Sequence, residues 1–286
     1  MSDELSGSSP SDVSGPDSPP FDPFPSGVEV HVESGPVACS LAAARGDVVV
    51  VVDVLSFSTT VTMAVEMGAT VLPLAPAEIE AAGGPEAVQR TLRGEMISAT
   101  RQVGPRGMFS LSPASLAALR DPLGREPGKR LIFTSLNGAR CVHAARDAPL
   151  VLVGCLRNAT AVADRVVGTL GAAGPRVTIV ACAESWTSTA GVEGQRPALE
   201  DWAGAGAIAA ACADRGLALS VEARAAAHTH GALGDPGEWL PHTVSGRELV
   251  DRGFAEDVEL AARVDVNGTV PEWNPRTDLE RSFRTP

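Results

Sequence analysis

The chain has 286 residues, a hydrophobic fraction of 44% and a formal net charge of −12. This length allows one large domain or two small ones, and the apolar fraction is sufficient for a sizeable core. An acidic chain without a Lys/Arg cluster is repelled by nucleic acid and by anionic membranes, so both classes of partner are disfavoured. A small anionic ligand remains compatible, because local arginines or a metal ion can reverse the field at one site.

The cysteines are scattered, and no two of them form a CxxC motif. They are Cys39, Cys141, Cys155, Cys182 and Cys212. No signal peptide opens the chain, and no apolar run approaches the ~20 residues of a membrane span. We therefore expect buried free thiols, no membrane association and a cytoplasmic location.

The first 27 residues differ in composition from the rest of the chain. They are rich in Ser, Pro and Gly, they are acidic, and they contain no Lys or Arg. Such a segment cannot bury enough apolar surface to offset the entropy lost on ordering. The sequence therefore predicts a disordered tail over residues 1–27 and one folded domain over residues 28–286.

Beyond the tail, short apolar runs alternate with helical patterns. The run VEVHV at 28–32 alternates like a strand, and DVVVVVDVL at 47–55 predicts a central strand buried on both faces. A helix is predicted at 56–69, with hydroxyl residues at its start and a glycine stop. A strand at 70–74 and a broken helix at 76–92 follow.

The second half of the chain repeats this alternation. Strands are predicted at 129–135, 149–155 and 176–183. Helices are predicted at 138–146, 158–174 and 198–216. Alternation of strand and helix predicts a three-layer αβα fold with a largely parallel sheet and helices on both of its faces.

Ligands of open α/β sheets bind beyond the carboxyl ends of the strands, so the strand-to-helix turns are the candidate sites. Asp53 ends the most apolar strand and precedes a helix whose N-terminus attracts phosphate. Its carboxylate either holds Mg²⁺ or caps its own helix. In TSLNGAR at 134–140, Asn137 and Gly138 permit a tight turn that exposes backbone N–H groups.

Two further turns carry polar side chains. GCLRN at 154–158 ends a strand, and Glu200 and Asp201 open an Ala/Gly-rich helix. Adjacent helical residues point ~100° apart, so this pair either serves a site unequally or only complements the helix dipole. No turn carries GxGxxG, GxxxxGK[ST] or GxSxG, which disfavours dinucleotide, P-loop and α/β-hydrolase sites.

Taken in order, these turns resemble those of the 2-phosphosulfolactate phosphatase family. The matching segments are DVLSFSTT at 53–60, Gly94-Glu95, SLSP at 110–113, TSLNGAR at 134–140, GCLRN at 154–158, ALEDWAGAG at 198–206 and the closing stretch at 245–274. The resemblance implies an αβα fold, dependence on Mg²⁺, and hydrolysis of phosphate esters of 2-hydroxy acids.

The resemblance also implies a set of site residues. It carries over Asp53, Glu95, Asn137, Asn158, Glu200 and Asp201. From their chemistry, we predict catalytic roles for Asp53, Glu95 and Asn137. Metal binding is predicted for Asp53, Glu200 and Asp201. Substrate contacts are predicted for Thr59, Thr60, Gly138, Arg140 and Asn158. The expected partner is a small anionic phosphate ester, and assembly into a homo-oligomer is left open.

The chain departs from the family pattern at two places. Ser56 stands where the family usually has Arg, and Ser110-Leu111 stand where it has Gly-Asn. An arginine at position 56 would bind the phosphate or the acid group of the substrate. One hypothesis is a phosphatase in which another arginine substitutes. The candidates are Arg101, Arg106, Arg140 and Arg157. The alternatives are a catalytically degenerate member that binds a small anionic metabolite and a phosphatase with a changed substrate.

Overall fold

The structure is a computed structural model that describes residues 27, 29–93, 95–97, 111–117, 130–170, 176–186, 191–273 and 282–285, with only the backbone at 95–97. The predicted tail lies outside the described residues except for Gly27. The side chain of Glu95 and all of Gly94, Ser110, Arg101 and Arg106 also lie outside them.

Strands and helices alternate along the chain, as the sequence predicts. The strands are β1 (Val30–Ser34), β2 (Val48–Val52), β3 (Thr70–Leu74), β4 (Glu95–Ile97), β5 (Arg130–Thr134), β6 (Val151–Gly154), β7 (Val177–Ala181), β8 (Glu184–Ser185), β9 (Gln195–Arg196) and β10 (Glu272–Trp273). The helices are α1 (Gly35–Arg45), α2 (Phe57–Glu66), α3 (Pro76–Ala81), α4 (Pro85–Leu92), α5 (Pro113–Ala117), α6 (Gly138–Ala144), α7 (Ala159–Thr169), α8 (Leu199–Ala213), α9 (Val221–Leu233), α10 (Pro236–Trp239), α11 (Val244–Asp251) and α12 (Ala255–Ala261).

The main sheet has the strand order β1-β7-β2-β6-β10. Its first four strands run parallel, and β10 is antiparallel to β6. A smaller, all-parallel sheet has the order β3-β5-β4. Residues 282–285 join the two sheets, because Phe283 pairs with Val71 of β3 and Arg284 pairs with Glu272 of β10.

Strand β2 separates two apolar cores, and all five of its valines are fully buried. Val49 and Val51 pack into one core with residues of α1, α2 and α6. Val48, Val50 and Val52 pack into the other core with residues of α7, α8 and α9. Because successive side chains of a strand point to opposite faces, helices cover both faces of the sheet. The predicted three-layer αβα fold is confirmed.

Three details differ from the sequence prediction. Helix α1 was not predicted, and the strand predicted at 28–32 lies at 30–34. The buried residues of β1 do not alternate, because helices α1, α8 and α9 pack against this strand as well. The predicted strands also divide between two sheets, since β10 and residues 282–285 lie between β6 and β3.

Two predictions about apolar segments and thiols can be compared with the structure. In the described part of the chain, no helix combines the length and apolarity needed to cross a membrane. All five cysteines are buried and free, as predicted.

Candidate active site

A cavity of about 180 Å³ opens where the carboxyl ends of β2 and β5 meet the N-termini of the helices that follow them. The strand-end turns contribute Asp53, Leu55, Ser56, Thr134, Ser135, Leu136, Asn137 and Glu184 to its lining. The side formed by α11 and its C-terminal end contributes Ser245, Glu248, Leu249 and Arg252. Two of the predicted turns therefore converge on one cavity, at the edge of the sheets where ligands of α/β proteins bind.

Asp53 connects the two helices that begin at this cavity. Its Oδ1 accepts a hydrogen bond from the backbone N–H of Phe57 at 3.2 Å, and its Oδ2 accepts one from that of Gly138 at 3.1 Å. The carboxylate therefore caps α2 and α6 together, and both helix dipoles stabilise its negative charge. The capping interpretation is confirmed, and the functional role of Asp53 stays a prediction that its place in the cavity lining allows.

The hydroxyl residues of α2 shape the turn around Asp53. Thr59 Oγ1 donates to the carbonyl of Val54 at 2.8 Å, and Thr60 Oγ1 donates to the carbonyl of Ser56 at 2.8 Å. Neither threonine is among the residues that line the cavity. This geometry gives their predicted substrate contacts no support, because their hydroxyls are engaged by the backbone. Ser56 is buried and does line the cavity.

The Asn137-Gly138 turn brings α6 against α2. A Cβ atom at Gly138 would lie 2.3 Å from Phe57 Cδ1, so only glycine allows this approach. Asn137 Nδ2 donates to Glu184 Oε1. Asn137 Oδ1 is buried without a hydrogen-bond partner among the described residues. The predicted site residue Asn137 thus keeps one acceptor for a ligand.

Glu184 is a cavity residue that the sequence interpretation missed. It follows β7, the neighbour of β2 in the sheet, and it lines the cavity. Burial raises the pKa of its carboxyl above the ordinary value, although the Asn137 hydrogen bond and the Arg196 charge act against this. The rule that directed attention to the other strand ends also applies after β7, and it would have found Glu184.

Glu200 and Asp201 lie in the first turn of α8, and both are buried and absent from the cavity lining. Asp201 Oδ1 accepts from the backbone N–H of Val54 at 2.8 Å. Burial raises the pKa of Asp201 well above its usual range, and the charges of Asp53 and Glu200 raise it further. Glu200 Oε2 has no hydrogen-bond partner among the described residues. We call Glu200 and Asp201 the acid cluster. A bound cation would offset the repulsion between these carboxylates and Asp53.

The carboxylates around Asp53 meet some of the requirements of a Mg²⁺ site and not others. Within the described ranges, no group of three or more His, Cys, Asp or Glu side chains is arranged to hold a metal. However, Mg²⁺ usually keeps several waters and binds through one or two carboxylates together with substrate phosphate. The unpartnered oxygen of Glu200 and the repulsion around Asp201 are the observations that favour a cation here.

Two of the arginines proposed as substitutes, Arg140 and Arg157, lie in the described part of the chain. Neither of them lines the cavity. Arg140 is exposed and does not line the cavity. Arg157 donates from Nε to Asn267 Oδ1 at 2.7 Å and from Nη1 to the carbonyl of Leu260, so it stabilises the closing stretch of the chain. The predicted substrate contact of Arg140 has no support in this geometry.

The side chain of Asn158 is also engaged by hydrogen bonds within the protein. Its Oδ1 accepts from the backbone N–H of Cys155 at 2.9 Å, and its Nδ2 donates to the carbonyl of Thr269 at 3.1 Å. The residue is fully buried and is absent from the cavity lining. It fixes the turn after β6 to the closing stretch, so the geometry does not support its predicted contact with substrate.

Comparison with known proteins identifies the family. A model of the 2-phosphosulpholactate phosphatase family matches residues 38–275. The probable 2-phosphosulfolactate phosphatase of Deinococcus radiodurans is 32% identical over 237 residues, or 82% of this chain and 90% of that protein. The 2-phosphosulfolactate phosphatase of Methanothermobacter thermautotrophicus is 30% identical over 236 residues, or 82% of this chain and 91% of that protein. The resemblance of the turns is confirmed, and the chain belongs to the 2-phosphosulfolactate phosphatase family.

Proposed function

We propose that the chain is a Mg²⁺-dependent phosphatase that hydrolyses a small phosphate ester of a 2-hydroxy acid, with 2-phosphosulfolactate as the first candidate. The observation that carries this proposal is the position of Asp53, which lines the cavity, caps two helices and adjoins the acid cluster. Family membership supports the reaction class, since the family consists of phosphatases.

One or two of the carboxylates predicted to bind metal, those of Asp53, Glu200 and Asp201, would hold Mg²⁺ together with the substrate phosphate. When bound, Mg²⁺ would neutralise charge on the phosphoryl oxygens. The role of Glu95 in this set stays a prediction, because its side chain lies outside the described residues. Two backbone N–H groups fix the orientation of the Asp53 carboxylate, which prepares it to act without rearrangement.

Asn137 and Glu184 would interact with the groups that gain or lose a proton in the reaction, the attacking water and the leaving alkoxide. The unpartnered Asn137 Oδ1 is an acceptor, so it suits an attacking water better than a phosphate oxygen. We therefore assign the catalytic role predicted for Asn137 to the binding of this water. Glu184 lines the same cavity with a raised pKa, and a carboxyl of this kind can exchange a proton with the water or the leaving alkoxide.

A degenerate member that only binds an anionic metabolite is the second candidate. The observation that favours it is Ser56, which lines the cavity at the position where the family usually has arginine. Phosphate-ester hydrolysis is among the slowest uncatalysed reactions, so a loosely organised site would release almost no phosphate.

Phosphate release from a panel of 2-phospho-hydroxy acids, with Mg²⁺ present, separates the two functions. We expect turnover by the full chain, loss of turnover in Asp53→Asn, and unchanged turnover in the control Asp147→Asn, whose side chain is 81% exposed. Calorimetric binding of sulfolactate without release of phosphate from any ester would instead establish the degenerate function.

A further inference from the structure

The residues that line the cavity from α11 differ in charge from those of the strand-end turns. The turns contribute the carboxyl groups of Asp53 and Glu184. The α11 side contributes Ser245 and the guanidinium of Arg252, which follows the last residue of the helix. Arg196 of β9 is not among the lining residues, but it contacts one of them, because its Nη2 donates to Ser245 Oγ at 2.9 Å. We call Arg196, Ser245 and Arg252 the arginine side of the cavity.

Arg196 is a buried cation with an unused hydrogen-bond donor. The residue is only 5% exposed, and its Nε has no hydrogen-bond partner among the described residues. Its Nη1 makes a long bond of 3.4 Å to the carbonyl of Pro197, and its guanidinium lies 6.0 Å from the centre of the Trp186 ring. Leaving a buried charged donor unpaired is costly, so this position favours an anionic ligand at Ser245.

Arg252 is placed to respond to such a ligand. Its side chain is 59% exposed, and its Nη1 donates to Glu248 Oε1 at 2.9 Å. An exposed pair of this kind contributes little stability, so an anion can draw the guanidinium away from Glu248 at small cost. Glu248 offsets one guanidinium charge, and Glu184, opposite Arg196 in the pairing of β8 with β9, interacts with the other. The two arginines are therefore the positive groups on this side of an otherwise acidic cavity.

We propose that Arg196 and Arg252 bind the non-reacting acidic group of the substrate, a sulfonate or a carboxylate, and thereby select phosphate esters that carry a second acid. This inference rests on the proposed phosphatase function. Because the acid cluster repels a second anion, that group belongs on the arginine side when the phosphate lies near Asp53. A planar guanidinium matches both sulfonate and carboxylate oxygens through paired N–H donors.

Four substrates and two variants test the proposal. The substrates are 2-phosphosulfolactate, 2-phospholactate with only a carboxylate, the phosphate ester of a hydroxyalkyl sulfonate, and glycerol 2-phosphate with neither acid. We expect Arg252→Gln and Arg196→Gln each to lower kcat/KM for the acid-bearing esters roughly 10- to 100-fold, mainly through KM, and to change glycerol 2-phosphate less than about threefold. The exposed control Arg247→Gln should leave all four unchanged.

The two single-acid esters show whether the subsite takes the sulfonate or the carboxylate. Since Arg196 is buried, Arg196→Gln could unfold the protein, but the exposed Arg252 still tests the proposal. Equal losses on all four esters in Arg252→Gln would overturn it, because the arginine would then only balance the acid cluster.

A second measurement separates this proposal from the proposed function. If the wild-type chain hydrolyses none of the esters, the phosphatase function fails, and calorimetry with sulfolactate then tests the subsite alone. Binding by the wild type and by Arg247→Gln, with at least tenfold weaker binding by Arg252→Gln, would support the subsite. No binding, or equal binding by all three proteins, would overturn it.

Discussion

Asp53 caps two helices and lines the cavity with one side chain. Each of its oxygens accepts one backbone N–H, from the first residue of α2 and from the first residue of α6. The hydroxyl of Ser56, at the N-cap position of α2, makes no capping bond, so Asp53 replaces it. The strand end that opens the site thus also orients the two helices that form its walls.

Asp53→Asn should abolish turnover and moderately lower stability. Asparagine keeps one carbonyl oxygen as an acceptor, but its amide nitrogen would face a backbone donor. Losing one cap costs about 1–2 kcal/mol, which corresponds to a fall in Tm of a few degrees. Phosphate release and thermal unfolding, with Asp147→Asn as the control, measure the two effects. A folded Asp53→Asn with wild-type turnover would remove Asp53 from the mechanism.

Ser56→Arg tests whether the arginine side already supplies the cation that the resemblance of the turns predicts at this position. Ser56 is buried and lines the cavity, so a new arginine would extend into the space of the substrate and repel Arg196 and Arg252. We expect kcat/KM for 2-phosphosulfolactate to fall several-fold. A gain of roughly 10- to 100-fold, the size of one charge-assisted hydrogen bond, would show that the cation at position 56 is missing and not replaced.

At the scale of elements, the site depends on the close approach of α2 and α6. Gly138 begins α6 in contact with Phe57, which begins α2, and its N–H reaches both Asp53 and Ser135 Oγ. The approach places both helix N-termini at the same end of the cavity. The positive ends of the helix dipoles therefore favour an anion there.

Gly138→Ala should separate the two helices. Its Cβ atom would overlap the Phe57 ring, and overpacking of this kind costs about 1–3 kcal/mol. We expect a lower Tm and at least a tenfold loss of kcat, because the N–H bond to Asp53 would lengthen. Gly168→Ala in α7 is the matched control, since nothing lies within 4 Å of its Cβ position and alanine should leave the Tm equal or higher. Equal behaviour of both variants would contradict this role of Gly138.

The sequence predicted the elements better than it predicted the site. The valine run of β2 and the strand-end positions of Asp53 and Asn137 follow from local patterns. Asn158 fits the same pattern, but its bonds to distant backbone make it structural. Helix α1 was missed because its small residues give a weak apolar pattern. Arg196 and Arg252 carry no local signal, since β9 and α11 are brought to the cavity only by the tertiary fold.

The whole molecule carries a net charge of −12, and several of its carboxyl groups lie close together at the site. Asp201 lies beside Asp53 and Glu200, with Glu184 nearby, and these charges together with burial raise its pKa. Asp201 is therefore easier to protonate in the folded than in the unfolded chain. Its contribution to stability is present below about pH 4 and is lost as the pH rises through the raised pKa.

Metal-free protein should therefore become less stable, through this group, as the pH rises from about 4 through the raised pKa of Asp201. Asp201→Asn keeps an oxygen for the Val54 N–H and removes the charge, so it should raise the Tm of the metal-free protein at pH 8. Each kcal/mol of stability gained corresponds to roughly 2–4 °C in Tm for a chain of this size. Mg²⁺ should raise the Tm of the wild type and have little effect on Asp201→Asn. A lower Tm of metal-free Asp201→Asn at pH 8 would contradict the repulsion.

The central claim is that the cavity at Asp53 performs metal-assisted hydrolysis of a phosphate ester. Phosphate release from 2-phosphosulfolactate by the metal-stripped full chain, measured before and after addition of Mg²⁺, tests it most directly. We expect no release above background in chelator and sustained turnover once Mg²⁺ is in excess. Equal rates with and without Mg²⁺, or no release at any Mg²⁺ concentration by a chain whose circular dichroism shows it to be folded, would contradict the account.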